Sequence, residues 1–240
     1  MTARHCTTKL DMYIHTVVRR GTLSILVVSV AACDPSEAAR LKADSAVAAQ
    51  SKAATQAVIS ARREAQVYFD SARAAFLAKR ATIASKEITR AAAVTRAQAD
   101  SASGVAKTAL RSSAAELARL ATRVTRNRVK SVKTLDYTFA RTQLAEAQFH
   151  HERAVAAFRG TRTAAAGAEL IMAADHFERA IVDAGQTASE PAQKAIADAR
   201  RIASKLTSGA LLVPADVESA LATLGREVRS FAATAATLKA

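Results

Sequence analysis

Between Ser36 and Ser103 the chain contains neither glycine nor proline. These are the two strongest helix breakers, and alanine, the best helix former, supplies 61 of the 240 residues. Unbroken, a helix over this stretch would be about 100 Å long at 1.5 Å per residue. Because alanine buries little surface, the helices are expected to form thin layers and not a thick core. The sequence therefore predicts an all-α fold of long alanine-rich helices, arranged as a coiled-coil-like hairpin or as a rod.

The first break is expected at Ser101-Ala102-Ser103-Gly104, before a second helical stretch from Val105 to about Phe158. Gly104 could form a tight turn or a kink, which leaves the hairpin and the rod as alternatives. The sparse large apolar residues require a partner helix, from the same chain or from a second copy in a homo-oligomer.

A different pattern begins after Gly160, where three shorter helices are expected with breaks at Gly185 and Gly209. The last of them follows Pro214 and has the most regular apolar spacing in the chain. We therefore divide the chain into residues 1–32, a long basic region over 33–160, and a small C-terminal three-helix bundle over 161–240.

The first 32 residues have the layout of a secretory signal peptide. Arg19 and Arg20 precede a short apolar run, and the small residues Ala31 and Ala32 are followed by Cys33. The run is shorter than the ~20 residues that a membrane span needs. An uncleaved anchor and a chance apolar stretch are the alternatives, and translation could start at Met1 or at Met12.

Val30-Ala31-Ala32-Cys33 resembles the lipobox of bacterial lipoproteins. The resemblance implies that the signal peptide is removed and that Cys33 is acylated, for example with palmitate. It also implies a membrane-anchored location in the cell envelope, facing the periplasm or otherwise outside the cytoplasm. Asp34 resembles an inner-membrane retention signal of some enteric bacteria, but inner and outer membrane stay open. We recognise no family in residues 34–240.

The net charge of +14 is unevenly distributed. Residues 161–240 hold nine charges of each sign, so the basic excess of the mature chain lies on residues 33–160. Five cations recur at steps of four, three, four and three, which would place them on one helical stripe. They could contact anionic lipid, an anionic envelope polymer or nucleic acid, or form a solvated face. The five are Arg119, Arg123, Arg126, Lys130 and Lys133.

The sequence shows no catalytic or metal-binding motif. His150 and His151 are adjacent and diverge on a helix, so they cannot share a metal ion. We expect His176 to lie on the surface, and Asp100, Glu116 and Glu146 to be isolated solvated charges. Glycine-rich phosphate loops and nucleophile motifs are also missing. We therefore predict no enzyme activity, no cofactor and no metal.

The leading hypothesis is a non-enzymatic, lipid-anchored helical protein of the bacterial cell envelope that acts as a spacer, scaffold or binding module. Its partner for residues 161–240 is open. The alternative is a cytosolic, histone-like basic helical protein that binds nucleic acid through phosphate contacts. No aromatic residue interleaves the five cations, so base stacking has no support.

Overall fold

A computed structural model describes residues 66–235. The predicted signal peptide, the predicted acylation site Cys33 and the start of the predicted long helix lie outside the described residues. Within them the fold is all-α, as predicted, with helix α1 over residues 66–77 and six more helices. These are α2 (Ala81–Ser101), α3 (Gly104–Thr125), α4 (Val132–Arg159), α5 (Thr163–Asp183), α6 (Glu190–Thr207) and α7 (Pro214–Ala235).

The break at Gly104 is a turn. Gly104 adopts a positive φ of 55°, and only Ala102 and Ser103 separate α2 from α3. The two helices then lie side by side along their length, with Ile88 of α2 and Leu117 of α3 in one apolar cluster. Of the two alternatives left open by the sequence, this part of the chain therefore adopts the hairpin.

Five of the helix ends share one capping geometry. Gly185 after α5 and Gly209 after α6 adopt the left-handed backbone conformation, which confirms the two predicted breaks. The amide N–H of the residue that follows donates a hydrogen bond to a carbonyl oxygen in the last turn of the helix, as in a Schellman motif. After α5, for example, the N–H of Gln186 donates to the carbonyl oxygen of Ile181. The same geometry follows α1, α3 and α4, where the left-handed residues are not glycine: Lys79, Asn127 and Thr161.

These non-glycine caps correct two expectations. Lys79 breaks the stretch from Ser36 to Ser103 between α1 and α2, so an unbroken helix there is wrong. The stretch from Val105 to Phe158 is likewise two helices, because α3 ends before Asn127. A count of glycine and proline could not find either break, since a residue with a side chain adopts the left-handed conformation at both.

Helix α4 is shared by the two largest apolar clusters. One cluster joins α1, α2 and α3 to the start of α4, where the rings of Phe69 and Phe139 stack with centroids 4.5 Å apart. The other joins the end of α4 to α5, α6 and α7. The most extensive helix contact is between α4 and α5, which the turn at Gly160 joins within one compact unit.

Alanine supplies more than half of the buried apolar residues in 66–235. This agrees with the prediction of thin helix contacts. At Gly167 the backbones of α5 and α6 come so close that an added Cβ would lie 2.7 Å from the carbonyl oxygen of Ala203.

Candidate functional site

The five predicted cations are all exposed, but they do not form a single helical stripe. Arg119 and Arg123 lie on α3, Arg126 follows its last residue, Lys130 is in the connection to α4, and Lys133 is in the first turn of α4. The stripe is interrupted because α3 ends before Asn127. Arg128, which lies outside the predicted four-three spacing, is also exposed in this connection. We call these six residues the cationic edge: Arg119, Arg123, Arg126, Arg128, Lys130 and Lys133.

The carboxylates nearest to the cationic edge in sequence are bound by other arginines. Glu116 accepts a hydrogen bond from Nε of Arg141 at 2.9 Å, and Asp136 accepts one from Nε of Arg73 at 2.8 Å. No carboxylate occurs between them in the sequence. Among residues 66–235, no carboxylate lies within ion-pair distance of the cationic edge. Its positive charge is therefore uncompensated locally.

The start of α2 lies beside the end of α3. Ser85 donates a hydrogen bond to the carbonyl oxygen of Ala121 at 3.0 Å, and Thr125 donates one to the Ser85 hydroxyl at 2.7 Å. Lys79 and Arg80, in the turn that precedes α2, are both exposed. Arg80 lines a groove together with Glu87 and Arg90, so neither Lys79 nor Arg80 is counted in the cationic edge.

A second polar arrangement is buried between α4 and α5. We call it the polar row, and it comprises Gln143, Glu146, His150, Glu169 and His176. Nδ1 of His150 lies 2.7 Å from Oε2 of Glu169, and Nδ1 of His176 lies 2.5 Å from Oε1 of Gln143. The two imidazole rings are stacked with centroids 5.2 Å apart and planes within 2° of parallel.

The polar row overturns two sequence-based expectations. Glu146 is 0% exposed and His176 only 4%, so neither is a solvated surface residue. The other two carboxylates expected to be isolated, Glu116 and Asp100, are at least partly exposed. Each forms an ion pair, Glu116 with Arg141 at 2.9 Å and Asp100 with Arg111 at 3.8 Å. Spacing carried a signal that could have revealed the row, because residues 143, 146 and 150 share one helical face.

The two adjacent histidines occupy different environments. His150 is in the polar row, whereas Nε2 of His151 lies 2.8 Å from the carbonyl oxygen of Leu221 on α7. Burial lowers the pKa of both imidazoles from the ordinary value of 6.5, although the Glu169 carboxylate opposes this at His150. The two rings therefore contact different helices, α5 and α7.

Residues 66–235 contain neither a metal-binding cluster nor a membrane span. In the part of the chain that the structure describes, no three His, Cys, Asp or Glu side chains are arranged to hold a metal ion. None of the helices in this range is both long enough and apolar enough to cross a membrane. No protein-family model, curated protein or solved structure matches the chain.

Proposed function

We propose that the chain is a non-enzymatic, lipid-anchored helical binding module of a bacterial cell envelope, whose cationic edge contacts the anionic surface of a phospholipid bilayer. The observation that carries the proposal is the cationic edge itself: six exposed cations with no described carboxylate within ion-pair distance. The acylation of Cys33 remains the sequence-based part of the proposal.

The two parts support each other energetically. A single acyl chain gives only marginal membrane binding, whereas several acyl chains on the cysteine, or one chain together with a polybasic surface, give stable attachment. Each Lys or Arg near an anionic bilayer contributes about 1 kcal/mol, provided that no protein carboxylate neutralises it first. Because Arg141 and Arg73 bind Glu116 and Asp136, the charge of the cationic edge stays available to lipid phosphates.

A bilayer fits this surface better than a single-stranded nucleic acid does. Residues 119–133 contain no aromatic side chain on which a base could stack. The cations are also distributed over a helix end and a connection, where they can reach a broad anionic plane without a matching groove. Binding to phosphate groups on duplex DNA is the alternative that the experiment has to separate.

The test measures binding of the full chain to vesicles of phosphatidylglycerol and phosphatidylcholine at several salt concentrations. Replacing the six residues of the cationic edge by glutamine should reduce affinity for anionic vesicles at least tenfold, because the electrostatic attraction is lost. A matched control replaces six other exposed cations, and it should retain most of the binding. The control residues are Arg159, Arg162, Arg179, Lys194, Lys205 and Arg226.

Equal losses in the two variants would contradict a specific role for the cationic edge. Tighter binding to duplex DNA than to anionic vesicles, with a salt dependence that matches the cations engaged, would instead support the nucleic-acid alternative. The anchor is tested separately by labelling bacterial cells with a palmitate analogue. Cys33→Ala should abolish the label, and a label that survives this substitution would refute the anchor but not the edge.

A further inference from the structure

Four buried polar atoms of the polar row lack a hydrogen-bond partner. They are both carboxylate oxygens of Glu146 and the Nε2 atoms of His150 and His176. Oε2 of Glu146 lies 3.0 Å from Nδ1 of His176, but without hydrogen-bond geometry. Buried groups of this kind are rare in folded proteins, and each calls for a physical explanation.

The hydrogen-bond partners of His150 and His176 determine which ring nitrogen of each carries the proton. The amide of Gln143 donates its N–H to Oε1 of Gln66 at 2.9 Å, which turns its own oxygen towards His176. Nδ1 of His176 therefore carries a proton. The Glu169 carboxylate accepts from Nδ1 of His150 in the same way. In the neutral form of each ring, Nε2 is then the bare nitrogen and needs no acceptor.

Protonation of Nε2 of His150 would destabilise the polar row. The new N–H would be buried without an acceptor, and the ring would carry a charge 5.2 Å from the parallel ring of His176. Both are unfavourable in a buried site. The polar row is therefore compatible with one protonation state of His150 and strained by the other.

The charged groups around His150 do not remove this cost. From α5 it faces Glu169 and His176, and from α4 it faces Glu146. Glu169 is already bound by Nε of Arg153 at 2.7 Å. Helices α2 and α3 place apolar residues against Phe149, the neighbour of His150 in sequence. Helix α1 contributes the uncharged amide of Gln66, which is hydrogen-bonded to Gln143. Burial of His150 outweighs the attraction of the two carboxylates.

We propose that the stacked His150–His176 pair is a proton-sensitive latch, which holds α4 against α5 while Nε2 of His150 is bare and loosens this contact when that atom is protonated. The ligand of the latch is a proton, and the latch does not depend on the membrane-binding role proposed above.

The direction of the pH response follows from linkage. The pKa of His150 is lowered in the folded protein relative to its ordinary value of 6.5. The unfolded chain therefore takes up the proton more readily, and folded stability falls as the pH drops below about 6.5. Asp183 acts in the opposite direction, because burial raises its pKa to about 6 and its protonation favours the folded state.

The first experiment follows urea unfolding of the full chain by circular dichroism at pH 7.5, 6.5 and 5.5 in the presence of EDTA. The background is Asp183→Asn, which removes the opposing titration. The urea midpoint should fall on acidification, and the additional substitution His150→Gln should reduce that fall. The part that remains includes the contribution of His151, whose pKa burial also lowers. Gln can still donate an N–H to Glu169 but cannot titrate. An equal fall with and without His150→Gln would overturn the latch.

A second measurement covers the case in which His150→Gln does not fold. Imidazole resonances of the wild-type chain are recorded by NMR as the pH is lowered. The folded-state signal of His150 should remain that of a neutral ring through pH 6.5. A folded-state titration centred at or above 6.5 would overturn the proposal, because protonation would then carry no cost in the latch.

Discussion

Nη2 of Arg73 on α1 donates a hydrogen bond of 2.8 Å to Oδ1 of Asp183, which lies at the end of α5 and 110 residues later in the sequence. The same guanidinium bonds Asp136 of α4 at 2.8 Å and the more exposed Asp70 of its own helix at 3.2 Å. One side chain therefore connects three helices. The Phe69–Phe139 stack next to it joins α1 and α4 through apolar contact.

We expect Arg73→Met to reduce the free energy of unfolding by about 2–4 kcal/mol, because it leaves the buried Asp183 without its cation. Urea unfolding followed by circular dichroism measures the loss. Asp70→Asn is the matched control and should change stability by no more than about 0.5 kcal/mol, since that pair is largely exposed. Similar losses in both variants would mean that Arg73 does not act through Asp183.

Asp183 makes a distinct pH dependence testable. Its pKa is raised from 3.8 to about 6, chiefly by burial and against the attraction of Arg73. Its contribution to stability is therefore fully present below pH 3.8 and is lost as the pH rises through about 6. Wild type should gain stability relative to Asp183→Asn on acidification from pH 7.5 to 4.5. The slope should approach about 1.4 kcal/mol per pH unit. A constant difference across this range would contradict the prediction.

The close approach of α5 and α6 at Gly167 leaves no space for a side chain. An added Cβ would lie 2.7 Å from the backbone oxygen of Ala203 and 2.9 Å from Cβ of Leu206. Gly167→Ala should therefore destabilise the protein by about 1–3 kcal/mol, as overpacking does, measured by urea unfolding. Gly160→Ala is the control, because its φ of −84° suits alanine and its nearest neighbour is 3.4 Å away. An unchanged midpoint for Gly167→Ala would contradict so close an approach of the two backbones.

Thr161 adopts a φ of 57°, which is unfavourable for a β-branched residue. Thr161→Gly should stabilise the folded protein by roughly 1 kcal/mol, because glycine accepts this conformation without steric cost. Asn127→Gly, at a φ of 53°, should give a smaller gain, since asparagine tolerates the left-handed region better. Thermal unfolding of both variants checks the order, and a loss of stability in Thr161→Gly would refute the argument.

Sequence reasoning found the helix ends that depend on glycine and missed those that do not. Gly185 and Gly209 were identifiable because glycine is the usual left-handed cap. At Lys79 and Asn127 the chain turns to bring α1, α2, α3 and α4 together in one apolar cluster. That tertiary packing supplies the reason for the turn, and it cannot be read from local propensity.

In the candidate site, too, the features that are local in sequence could be predicted, and those that depend on tertiary packing could not. The cations of residues 119–133 could be identified because a run of basic residues without a carboxylate is a local property of the sequence. The polar row depends on α4 pairing with α5, which brings His150 to Glu169 and His176 to Gln143. In a helix whose faces are all rich in alanine, the buried side is poorly marked. The sequence therefore does not distinguish the buried Glu146 from a solvated carboxylate.

The abundance of alanine at the helix contacts also determines which mutations this protein can tolerate. Where alanine already forms the contact, as at Ala173 and Ala199, truncation to glycine removes a single methyl group, whereas any larger residue must push two helices apart. Random mutation of an alanine codon gives a larger side chain far more often than glycine. Over evolutionary time, purifying selection on this fold should therefore act mainly against gain of volume, and a saturation-mutagenesis map would show small residues retained along every helix contact.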